Sequence, residues 1–222
     1  MSDFDQKKAL AAADAARRKG RRRAAIAAYR KLLAVDRSSP EIHAKLAPLL
    51  AKRGASFDAW VSFRTAAEGF MRAQQSDRAL STYYEAAHAL PREPEIWQTI
   101  ARLQLARGKS EDAVRALQSG RAKLRRRSER PKAIYLLRQI HELTPWRSEV
   151  VMDLAWLLAR TGQQPEALHL LEALAQHVGG RSLTRARGLQ ARISPRPHYI
   201  WLYLRSALSR HGSAPAPSAA RS

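Results

Sequence analysis

Displaced by 54 residues, this sequence falls on itself. Gly54 lands on Gly108 and Gly162, Ala59 on Ala113 and Ala167, Ala47 on Ala101 and Ala155, and Glu41 on Glu95 and Glu149. Large apolar residues keep the same register: Ile42, Ile96 and Val150; Leu46, Ile100 and Leu154; Phe63, Leu117 and Leu171. Ala25, Ala79 and Ala133 align, followed by Tyr29, Tyr83 and Leu137, and Pro91 falls on Pro145. An alanine four residues before a large apolar residue lets a neighbouring helix come close and receive a knob. A glycine at a fixed place between such stretches supplies the left-handed residue that ends one helix and turns the chain back. A unit of this kind cannot bury its apolar face alone, so successive copies have to stack. The repeats lie at about 25–78, 79–132 and 133–186.

Within each copy, apolar residues recur three and four apart, and no stretch alternates strictly over strand length. The pattern predicts an all-α chain of twelve helices. They fall near 4–18, 21–35, 41–53, 57–73, 77–90, 95–107, 110–126, 131–143, 148–161, 165–177, 182–192 and 197–209. The breaks hold Gly20, Pro40, Gly54, Pro91 with Pro94, Gly108, Pro145, Gly162, Gly179 with Gly180, and Pro195 with Pro197. Glycine past a helix end and proline at a helix start are the expected punctuation. Pro48 conflicts with this pattern. An interior proline costs about 3 kcal/mol, so a kink, or a helix in two parts, is expected there.

These columns resemble the tetratricopeptide repeat (TPR). Trp97, Ile100, Ala101, Gly108, Ala113, Leu117 and Gly120 follow its spacing, with Pro91 in the place of its closing proline. Val151, Leu154, Ala155, Gly162, Ala167, Leu171 and Leu174 follow it again, and His43, Leu46, Ala47, Gly54, Ala59, Phe63 and Ala66 more loosely. The departure is the period, since TPR units repeat about every 34 residues. Here a helix pair is followed by an extra helix, in which Ala79, Tyr83 and Ala86 echo Ala59, Phe63 and Ala66. The resemblance covers roughly residues 20–180. It implies an antiparallel helical-repeat solenoid, a TPR-like superhelix over 1–195, that binds peptides or partner helices and is not an enzyme.

Residue chemistry agrees with a non-catalytic reading. No glycine-rich phosphate loop, nucleophile elbow or His-Glu-x-x-His is present. The seven histidines include no pair three or four apart, and cysteine is absent, so no metal site, cofactor or disulfide is expected. The first twenty residues carry early acids and no apolar run, unlike a secretory signal. No stretch reaches the roughly 18–20 apolar residues that span a bilayer. The expected address is the cytoplasm.

Charge is uneven. The chain has 40 basic and 19 acidic residues, net +21. Segments 17–23 and 121–132 contribute +6 each, and 173–222 contributes +8 with no acid at all. The blocks begin near one phase of the repeat, at the turn before the extra helix. In a solenoid, equal phase would put Arg17, Arg18, Arg21, Arg22, Arg23, Arg125, Arg126, Arg127, Arg181, Arg185 and Arg187 along one basic rim. Such a rim would suit phosphates or carboxylates, nucleic acid or an anionic membrane surface, through backbone contact. Arginine also outnumbers lysine 31 to 9 while asparagine is absent, so coding bias alone accounts for part of the excess.

The resemblance further implies that the first helix of each pair lines a concave face. Its outward positions are Gln98, Arg102 and Leu105 on one copy, and Met152, Trp156 and Ala159 on the next. On the copy before, they are Ala44, Pro48 and Ala51. These columns vary while their neighbours match, as a surface spared from internal packing would. Trp156 is the leading anchor for a protein partner, with packing against an adjacent helix as the alternative. The last helix, 196–210, carries Ile200, Trp201, Leu204 and Leu208 on one stripe. It is expected to cap the solenoid's apolar end, against the alternative of an interfacial membrane helix flanked by Arg196, Arg205 and Arg210. Residues 211–222 are expected to be a disordered tail. Two function classes remain: a protein-interaction scaffold working through the concave face, and a binder of polyanions through the arginine rim.

Overall fold

The computed structural model describes residues 3–211, which include twelve α-helices and no strand. They are α1 (Asp3–Arg18), α2 (Arg22–Leu33), α3 (Pro40–Lys52), α4 (Ser56–Arg72), α5 (Ser76–Ala89), α6 (Pro94–Ala106), α7 (Ser110–Lys123), α8 (Arg130–Leu143), α9 (Ser148–Ala159), α10 (Gln164–His177), α11 (Gly180–Ile193) and α12 (Pro197–His211). Helices α1–α7 form one compact unit, ending at Lys123, and α8–α12 form a second, beginning at Leu124. In both, each helix packs on its neighbour in sequence. The sequence tail, 212–222, lies outside the described residues.

The period is written into the backbone. Helices α3, α6 and α9 start at Pro40, Pro94 and Ser148, while α4, α7 and α10 start at Ser56, Ser110 and Gln164. The extra helices α2, α5 and α8 start at Arg22, Ser76 and Arg130. All three series step by 54 residues. Turns repeat as well. Gly54, Gly108 and Gly162 have φ of 86°, 72° and 88°. After each, the next amide bonds back five residues: Ala55 to the Leu50 carbonyl, Lys109 to Gln104 and Gln163 to Leu158. This bond satisfies a carbonyl that the helix end would leave open. Gly20 builds the same turn before α2, and Gln74 builds it before α5 at φ 59° despite its side chain.

The alanine and large apolar columns named from the sequence are all buried. Ala59, Ala113 and Ala167 are fully covered, as are Phe63, Leu117 and Leu171 within about one percent. Burying such large side chains contributes roughly 1.5–3 kcal/mol each. Small and large residues are matched across each pair. Trp97 on α6 packs against Gly120 of α7, so close that a Cβ there would sit 2.4 Å from the indole Cγ. The indole Nε1–H donates to the Pro91 carbonyl at 3.0 Å. At the equivalent positions one period on stand Val151 and Leu174, both buried.

Polar ties fix the ends of both units. In the first, Asp14 of α1 accepts from the Tyr29 hydroxyl at 2.5 Å and from Lys45 Nζ at 2.7 Å, joining α1, α2 and α3. Burial and the neighbouring Asp14 carboxylate push the Tyr29 phenol up to about 12, so it stays a donor. In the second, Arg187 of α11 donates to both Glu172 oxygens of α10, at 2.6 and 3.2 Å, and Gln190 adds a bond at 3.0 Å.

Three local expectations need correction. Helix α3 is not in two parts: it runs unbroken through Pro48. Its buried flanks Ala47, Leu49 and Leu50 hold it in place, and Pro48 is half-buried where a cavity borders the helix. Helix α7 stops at Lys123, short of residue 126. Arg126 is extended there, its N–H donates to Glu129 Oε2 at 2.8 Å, and Arg127–Glu129 form a 3-10 turn. Lastly, α12 does pack on α11 as a terminal helix, with the Thr184 hydroxyl bonded to the Ser206 carbonyl at 3.2 Å. The face it buries, however, is not the apolar stripe. Ile200, Trp201, Leu204 and Leu208 all point to solvent.

Candidate protein-binding groove

Two helices of the second unit present matching stripes. On α9, Glu149, Met152, Asp153 and Trp156 follow i, i+3, i+4, i+7 spacing and so share one face. On α11, Arg185, Gly188, Leu189 and Arg192 do the same. The stripes face across an open cavity of about 570 Å³. Its floor is apolar, from Met152, Trp156 and Leu189. One wall is acidic, from Glu149 and Asp153, and the opposite wall is basic, from Arg185 and Arg192. The extra helix of the repeat therefore supplies half of the groove, a contribution that TPR analogy for α9 alone does not show.

Trp156 lines this cavity. The indole is half-buried and lies between two guanidiniums, Arg192 at 4.7 Å and Arg160 at 5.3 Å from ring to Cζ. It is neither free nor sunk in the core. Two cations over the ring restrain its orientation. A Cβ at Gly188 would sit 3.2 Å from the Tyr203 ring of α12, so α11 and α12 approach closely there.

The remaining sequence candidates scatter. On α6, Arg102 is exposed and donates to the Thr99 hydroxyl at 3.2 Å, and Leu105 is exposed. Gln98 is half-buried with its Nε2 covered and without a partner. Ala44 and Pro48 line a separate cavity of about 630 Å³ in the first unit, with Lys45, Lys52, Arg17 and Arg22. Of the arginines assigned to a rim, Arg17, Arg18, Arg21, Arg22 and Arg23 are exposed at the α1–α2 turn, with Arg17 3.9 Å from Asp14. Arg125, Arg126 and Arg127 are exposed before α8, and Arg181 and Arg185 on α11. Arg187 differs: its side chain is only 13% exposed, spent on Glu172. The Arg187 hydrogen bond, which outweighs the cost of burial, holds the Glu172 carboxyl below its ordinary value.

The described helices define an all-α helical-repeat protein. A sequence profile described as "Tetratricopeptide repeat" matches residues 124–193, which run from the start of the second unit to the end of α11. No curated protein matches the sequence. Among solved structures, the chain is similar to pilF of Pseudomonas aeruginosa at 16% identity, over 96% of this chain and 94% of that one, with a TM-score of 0.32. It is similar to a TPR repeats protein of Bacteroides fragilis at 12% identity, over 92% and 98%, with a TM-score of 0.37. It is also similar to TTC0263, a thermophilic TPR protein of Thermus thermophilus, at 15% identity, over 96% and 93%, with a TM-score of 0.33.

Proposed function

We propose that the chain is a non-catalytic scaffold that binds a segment of another protein in the α9–α11 groove. One observation carries this reading: Met152 and Trp156 meet Arg185, Leu189 and Arg192 across a single cavity with an acidic and a basic wall. An inserted apolar side chain would rest against Met152, Trp156 and Leu189. Flanking charges of both signs would set its direction, because each wall repels the wrong end. Trp156, already held by its two arginines, would be ordered at little further entropic cost, which favours binding. Gln98, Arg102 and Leu105 remain a separate candidate surface on the first unit, and the expected setting is the cytoplasm.

The second reading, a polyanion binder, is supported by the exposed arginines at 21–23 and 125–127. A pull-down with and without nuclease separates the two. For the groove reading, partners survive nuclease, Trp156→Ala loses them, and joint replacement of Arg125, Arg126 and Arg127 leaves them bound. Binding that needs nucleic acid, falls steeply with salt and is lost only with the arginine changes reverses the choice.

A further inference from the structure

Helix α12 buries the wrong face for a cap. Its packed side is Leu202 and Ser206, both half-buried, with Tyr203 at the margin, 38% exposed and lying against Gly188. The opposite side leaves Ile200 42%, Trp201 55%, Leu204 52% and Leu208 71% exposed. On a helical wheel these four fall within about a third of a turn, with Arg205 beside Trp201 and Arg196 just before the first residue of the helix. The Arg205 guanidinium rests 5.3 Å from the Trp201 ring. From residue 173 onward the sequence holds eight arginines and no carboxylate side chain.

We propose that α12 is a membrane-interface helix, which lays its apolar stripe into the headgroup boundary of an anionic bilayer. A continuous apolar stripe with a tryptophan, edged by arginines whose stems can lie along it, fits the apolar–polar boundary of lipid. The uniform positive charge selects anionic headgroups over neutral ones. It also selects against a second copy in face-to-face contact, which would bring Arg196 and Arg205 of both chains together with no acid on α11 or α12 beside them. Among the described residues no helix is long and apolar enough to cross a membrane, so the helix lies in the plane of the interface. Its inner face stays on α11, so docking requires no unfolding and leaves the α9–α11 groove open.

Flotation of the full chain with vesicles tests this, using phosphatidylcholine alone and phosphatidylcholine mixed with an equal part of phosphatidylglycerol. The chain floats with the anionic vesicles and not with the neutral ones. Leu204→Ser with Leu208→Ser weakens that binding at least about tenfold, since two half-inserted side chains are lost. Arg196→Gln with Arg205→Gln weakens it too, and both pairs keep the parent melting temperature because they alter exposed side chains. Trp156→Ala floats as the parent does, so failure here is separate from failure of the groove. The proposal is overturned if the parent fails to float, if it floats equally with neutral vesicles, or if the serine pair binds undiminished. It is overturned equally by a concentration-dependent dimer that the serine pair abolishes, which would make a second copy the occupant.

Discussion

Replacing Gly120 with alanine is the sharpest test of the packing between the helices of a pair. In an exposed helix interior this change stabilises by about 1 kcal/mol, because glycine is the poorer helix former. Here the new Cβ would lie 2.4, 2.6 and 2.9 Å from three atoms of Trp97, all well inside contact distance. Trp97 cannot swing aside freely. It is 7% exposed, and its Nε1–H is held by the Pro91 carbonyl. Overpacking of this kind costs about 1–3 kcal/mol, and a displaced indole would forfeit a hydrogen bond worth about 1 kcal/mol. After the helix-propensity gain, a net loss of about 1–3 kcal/mol is expected. Urea unfolding followed by helical circular dichroism measures it. The same substitution in a Trp97→Val background, which imitates the valine at position 151, should be neutral or stabilising by up to about 1 kcal/mol. If Gly120→Ala stabilises the native background, the close contact is wrong.

Gln74 occupies a left-handed turn position where Gly20 stands one period earlier, so Gln74→Gly should raise stability by about 1 kcal/mol. Gly108→Ala should lower it by a similar amount, and both are read as shifts in the urea midpoint. The Glu172 carboxyl is held below its ordinary value of 4.5 by Arg187. A depressed carboxylate contributes stability that is present above that value and lost as pH falls through the lower folded-state value. Glu172→Gln should therefore show a shallower loss of stability than the parent on acidification below about pH 5. Equal slopes would show that the Glu172–Arg187 pair contributes nothing.

Much of the fold was legible because the repeat writes the same physics three times. Alanine at 59, 113 and 167 and glycine at 54, 108 and 162 each answer one steric demand, and the register between copies fixed the helix starts. Other features depend on what a side chain meets, which periodicity does not encode. The stripe of α12 was visible as apolar, but spacing cannot say whether an apolar face turns to protein or away from it. Arg187 looked like its neighbours in a basic run, and only the arrival of Glu172 from α10 withdrew it from the surface. Gln74 carried no sign of its left-handed backbone beyond standing 54 residues after Gly20. The groove was half legible. Met152 and Trp156 came from the TPR register, whereas Leu189 and Arg192 belong to the extra helix and were not singled out. The 185, 188, 189, 192 spacing on α11 was the available signal.

The central claim is that a partner protein lies between α9 and α11. A photo-crosslinking amino acid placed at Leu189, at the middle of the α11 stripe, tests it most directly in intact cells. The account predicts a discrete protein adduct that survives nuclease treatment and disappears when Trp156→Ala is added. The same crosslinker at exposed Tyr135 on α8 should not form that adduct. An adduct to nucleic acid at Leu189, or a protein adduct indifferent to Trp156, would contradict it.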